Sequence, residues 1–187
     1  MNNSRKYIIL IACLLAIGLS SVAQQVRPVY PVKPLTQEDI SRRQRIPEWG
    51  TNTRSASSAI LPEGVDNSTL KYFPPVFSQL GNSCSQASGV RYVYTYELNR
   101  LLDRAADSPE HIFNYHFTWN YLNEGNDQGS HPELGYNMMK VAGAVTLSDM
   151  NDESAVTSST TWMTGYDKYL RAMNYRVKSY SKFTLKT

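Results

Sequence analysis

The feature that most constrains this chain is a thiol without a partner. Once residues 1–23 are read as an export signal, Cys84 is the one cysteine left, so the exported chain must fold without an internal disulfide. The thiol is then inert core, an intermolecular link or a nucleophile. The signal reading rests on Arg5 and Lys6 as a basic n-region, an apolar stretch over residues 7–19, and Ser21-Val22-Ala23 as a small-residue cleavage site before Gln24. Thirteen apolar residues fall short of the ~20 that span a bilayer, and no later window is apolar enough. The expected location is therefore exported, secreted or periplasmic, with no membrane span. A rival, lipoprotein anchoring through Cys13 in Leu10-Ile-Ala-Cys13, is opposed by the few apolar residues before Cys13 and the apolar run after it.

Loss of the signal removes two basic and no acidic residues, so the formal charge falls from +3 to +1. No basic run remains to hold nucleic acid, and Arg42-Arg-Gln-Arg45 reads as a solvated tail or processing site. Residues 24–60, with Pro28, Pro31, Pro34 and Pro47 and a Ser/Thr/Ala-rich stretch at 51–59, read as a flexible linker or pro-segment. A short helix at 36–44 is marginal unless it finds a surface.

From residue 61 the texture becomes that of a domain. An extended entry, Leu61-Pro-Glu-Gly-Val-Asp66, and the stiff Pro74-Pro75 lead to the turn Gly81-Asn82. Residues 84–102 fit both periodicities, and their length favours a helix with Val90, Val93, Tyr94, Leu98, Leu101 and Leu102 on its apolar stripe. Further helices are expected from Asp107-Ser-Pro-Glu110 through Leu122, from Ser130-His-Pro-Glu133 to a stop at Gly143, and from Gly165 to Tyr180. Residues 151–161 read as polar loop.

The chemistry gathers at Cys84. A thiol at a helix N-terminus faces the positive end of the backbone dipole, which favours the thiolate that attacks carbonyls. The upstream Gln79 amide and the Cys84 backbone N–H could donate to the oxyanion so formed. The plainer reading is a buried, inert cysteine. His111, His116 and His131 read as structural or surface residues. The loop Asn123-Glu-Gly-Asn-Asp-Gln-Gly129 is rich in oxygen donors but lacks the alternating acids and closing Glu of a calcium loop. No metal or cofactor is expected.

Taken in order, Leu61-Pro-Glu-Gly-Val-Asp66, Pro74-Pro75-Val76, Gln79 and Ser83-Cys84 resemble the start of a mature papain-like cysteine peptidase. Ser108-Pro109 and residues 129–145 resemble that family's later segments. The resemblance implies an α+β papain-like fold, with Cys84 as nucleophile, Gln79 as oxyanion donor, Gly125 and Gly129 in the substrate cleft, and a peptide or protein substrate. Gln79 lies one position nearer the cysteine than is common, Gly81 stands where many members carry a disulfide cysteine, and Ser85 replaces the usual tryptophan. In such enzymes the His base and its Asn follow the cysteine by ~130–150 residues, whereas 103 residues follow Cys84 (187 less 84). The expectation is a helical half at 61–187 whose β-barrel half is missing, inactive alone and needing a second chain or missing C-terminal half to supply the His. The alternative is a non-catalytic exported binding or structural module on the same scaffold.

Overall fold

The computed structural model describes residues 32–49, 63–151 and 160–182. The expected signal, Cys13, and parts of the proline- and serine-rich segment lie outside them. Five helices carry the described fold: α1 (Gln37–Gln44); α2, continuous through Cys84–Gln86, Ala87–Tyr94 and Thr95–Leu101; α3 (His116–Leu122); α4 (Pro132–Ala142); and α5 (Tyr166–Ala172). Two single 3-10 turns, Asn67–Thr69 and Met173–Tyr175, complete the list. The helical part of the expected fold class is present. Among the described residues there is no strand, only three isolated β-bridges.

α2 explains why its sequence satisfied two periodicities at once. Its middle, Ala87–Tyr94, is π-helical, which widens the turn and moves the buried face along the chain. The buried positions are Gln86, Ala87, Gly89, Val90, Arg91, Thr95 and Asn99, while Val93, Leu101 and Leu102 are exposed. The expected apolar stripe is thus corrected in its second half, where polar residues hold the buried positions.

Two other expectations shift. Residues 107–115 are turns rather than helix, and α3 begins only at His116. Asn99 Nδ2 donates to His111 O at 2.8 Å, and Asn114 N donates to Val145 O at 2.7 Å, so this backbone bonds outward. The helix expected to reach Tyr180 ends at Ala172, and residues 176–182 are not helical. Val177 N donates to Met139 O at 3.3 Å, tying that segment to α4. α4 itself starts as anticipated, with Pro132 in the first turn and His131 rather than Ser130 at the cap. Gly143 closes it at φ +82, with Ala172 O 1.8 Å from where a Cβ would sit, so no side chain is compatible there.

The core has two adjoining clusters. One holds Ala87, Val90, Phe113, Tyr115, Met139, Ala144 and Val177; the other holds Phe117, Val145, Met150, Met163 and Ala172. Phe113, Tyr115 and Ala144 belong to the first cluster and Phe117 and Val145 to the second, so segments 113–117 and 144–145 pass from one cluster to the other and form the wall they share.

Candidate active site around Cys84

A train of rings carries the chain to the cysteine. Phe73 stacks on Tyr92 at 5.1 Å, Phe77 bridges Tyr92 and Tyr115 at 5.5 and 5.4 Å, and Tyr115, His116 and Trp119 continue the series at 4.3 and 5.4 Å. The Arg91 guanidinium lies 4.6 Å from the Phe77 ring. These contacts clamp the extended segment 73–80 along α2 and α3. Leu80 N donates to the Tyr115 hydroxyl at 3.2 Å at its end.

The turn that follows is built on Gly81 (φ +60). A Cβ there would lie 2.5 Å from the Trp119 ring and 2.8 Å from Asp127 Oδ1, so glycine is required by both conformation and space. Asn82 is then held twice by the loop opposite: its N donates to Asp127 Oδ1 at 3.0 Å and its Nδ2 to Asp127 O at 2.8 Å. Ser83 Oγ donates to Leu80 O at 2.7 Å, and Ser83 O accepts from Gln86 N and Ala87 N, both at 2.9 Å. Cys84 is the first residue of α2 and is exposed. Its amide is among those a helix leaves without an intrahelical acceptor.

Each expected site residue has a definite place. Cys84 is exposed, which removes the inert-core reading. Gln79 lies exposed in the extended segment, its Nε2 3.5 Å from Gly81 O. Gly125 (φ +82) and Gly129 stand on the loop that faces Asn82, and Gly129 is buried. Two of the three histidines are engaged in structure: His116 is buried between Tyr115 and Trp119, and His111 Nδ1 lies 2.8 Å from Ala105 O, while His131 stands at the N-cap position of α4 without a side-chain cap hydrogen bond. Among the described residues no hydrogen bond joins Cys84 Sγ to a histidine, and no group of His, Cys, Asp and Glu could hold a metal ion.

Sequence reasoning passed over Gln86 and the N-terminal segment. Gln86 is fully buried, and its Nε2 donates to Ser130 Oγ and His131 O, both at 3.0 Å, so α2 is locked to the start of α4 two residues beyond the thiol. Residues 32–49 lie across the same loop. Val32 makes a parallel bridge with Gly129, Lys33 N donates to Gly129 O at 3.0 Å, and Lys33 Nζ pairs with Glu124. Further along, Arg43 Nε lies 3.3 Å from Glu133 Oε1, and Trp49 N donates to Lys182 O at 2.6 Å while Lys182 N donates to Pro47 O at 2.9 Å.

Glu124 has φ +54, a left-handed conformation that a non-glycine residue adopts at a cost of roughly 1–3 kcal/mol. It is held there by Gly125 N donating to the buried Asn123 Oδ1 at 2.7 Å.

With this geometry, one solved structure is informative. Xylellain, a cysteine protease from Xylella fastidiosa, has a similar fold. The match has a TM-score of 0.53 at 18% identity and covers 83% of this chain and 58% of that one. This chain therefore spans well under two thirds of the protease it resembles. No family model and no curated protein matches the sequence.

Proposed function

We propose that the chain is the helical half of an exported papain-like cysteine peptidase, with Cys84 as its nucleophile. The observation that carries this reading is an exposed thiol on the first residue of α2, delivered by a glycine turn, in a fold similar to that of a cysteine protease. In the proposed reaction the Cys84 thiolate adds to a peptide carbonyl, and the oxyanion is met by the Cys84 backbone N–H and, after a side-chain rotation, Gln79. Collapse releases the amine, which takes the proton the thiol gave to the base, and water then hydrolyses the acyl-enzyme. The base is an imidazole from a β-barrel half, carried by further sequence or by a second chain; a thiol without one is a weak nucleophile at neutral pH. Gly125 and Gly129 would face the substrate backbone.

Alkylation tests the reading. Cys84 should react with iodoacetamide or a thiol-directed epoxide at pH 6 faster than a free model thiol, once a His-bearing half is present, and Cys84→Ser should abolish the labelling. A rate equal to that of the model thiol in the completed protein overturns it. That result would favour the non-catalytic binding module, for which the observation is that, among the described residues, no hydrogen bond joins Cys84 Sγ to a histidine.

A further inference from the structure

We propose that the cavity between the segment after α4 and the C-terminal end of α5 binds a neutral, polyhydroxylated ligand, a single pyranose ring of a glycan. None of its lining residues belongs to the Cys84 turn or to loop 123–129, so the site stands apart from the peptidase reading.

The cavity measures about 270 Å³, at the small end of the ~300–1,000 Å³ that ligand pockets span. Its walls carry hydrogen-bonding capacity that the fold leaves unspent. Thr146 is only 6% exposed, and its hydroxyl, on the cavity wall, has no partner among the described residues. A buried hydroxyl of this kind costs free energy unless what enters the cavity bonds to it. Ser148 and the side-chain amide of Asn174 line the same cavity and are likewise unbonded among the described residues. Two hydroxyls and an amide offer donors and acceptors in one place.

The charges select the class of ligand. Arg171 is committed to carboxylates: its Nε donates to Asp149 Oδ1 and Oδ2, both at 3.2 Å, its Nη2 to Asp149 Oδ1 at 2.6 Å, and its Nη1 to Asp167 Oδ2 at 2.8 Å. One N–H on each terminal nitrogen remains. An anion entering here meets a guanidinium already neutralised and the carboxylate of Glu110 on the same cavity, whereas a cation meets Arg171. A neutral ligand is opposed by neither. Adjacent ring hydroxyls each donate and accept, and a carboxylate, a guanidinium and an amide side by side satisfy both roles. Tyr175 completes the lining with an apolar ring surface suited to the C–H face of a pyranose.

Saturation-transfer difference NMR on the full chain tests this, with the methyl glycosides of glucose, galactose, mannose and N-acetylglucosamine as neutral probes and acetate and methylammonium as ionic ones. At least one glycoside should bind. Thr146→Val, which keeps the shape and removes the hydroxyl, and Asn174→Ala, at an exposed residue, should each weaken that binding about fivefold. Far-UV circular dichroism checks the fold of both, and Asn174→Ala alone decides if Thr146→Val does not fold. Absence of transfer to all four glycosides, or a stronger response to either ion than to any glycoside, overturns the ligand class. Glycoside binding left unweakened in a folded variant of either kind overturns the site. Cys84→Ser should leave every readout unchanged, so a failed alkylation test and a failed glycoside test are separate results.

Discussion

Thr95 shows how a single side chain settles a helix. It is fully buried, its hydroxyl donates to Val90 O at 3.2 Å across the π-helical turn, and it accepts the Phe113 amide at 3.1 Å. Thr95→Val keeps the shape but strands the Phe113 N–H in the core, so global stability in urea should fall by about 1–3 kcal/mol. Thr95→Ser, which keeps the hydroxyl, should lose distinctly less. At this scale the sequence was legible where a residue type is forced. Gly81 was recognisable as a turn glycine, because few other residues accept φ +60. Thr95 was not recognisable, because a buried hydroxyl satisfied by a partner eighteen residues away carries no local pattern.

At the scale of elements, α1 is the clearest contrast between what is local and what is not. Thr36-Gln-Glu-Asp39 forms a reciprocal capping box, with Asp39 N donating to Thr36 Oγ1 at 3.1 Å and Thr36 N to Asp39 Oδ2 at 3.1 Å. That helix was readable from four residues. The surface on which it lies was not, since Val32 and Gly129 are far apart in sequence and their pairing is encoded only by the whole fold. α2 was readable in extent but not in face, because a π-turn displaces the stripe that a 3.6-residue period predicts. The capping box gives α1 a pH dependence. Foremost its hydrogen bond with the Thr36 side chain, joined by the Thr36 amide and the charges of Arg42 and Lys33, holds the Asp39 carboxyl below its ordinary value of 3.8, against burial, which opposes them and ranks second among the causes. A carboxyl with a depressed folded pKa stabilises fully above its unfolded value and loses that contribution as pH falls through the folded one. Hydrogen exchange compared at pH 6 and pH 3, after correction for intrinsic rates, should therefore show the amide of Asp39 less protected at pH 3. The amide of Phe113, which bonds Thr95, should keep its protection. Equal loss at both would mean that α1 and the core open together.

For the whole molecule, stability depends on the wall between the two core clusters. Phe113 is completely buried there, with Tyr94 and Tyr175 edge-on at 5.0 and 5.1 Å, so it joins α2 to the segment that follows α5. Tyr94 shares this burial, which raises its phenol well above the ordinary range, while its hydroxyl donates to Tyr175 O at 2.7 Å. Tyr94 and Tyr175 are here struts that tie α2 to the segment after α5. Phe113→Ala removes a large ring from a site packed on all sides and should cost about 3–5 kcal/mol, a sizeable part of the ~5–15 kcal/mol that a domain commands. Leu101→Ala is the control. Leu101 looks like core in the helical pattern but is 80% exposed, and its truncation should change stability by less than about 0.5 kcal/mol. Urea unfolding followed by tryptophan fluorescence, to which the buried Trp119 contributes, and by far-UV circular dichroism measures both variants. If Leu101→Ala proves as costly as Phe113→Ala, the helix buries the stripe that its sequence suggests, and the π-turn register is wrong.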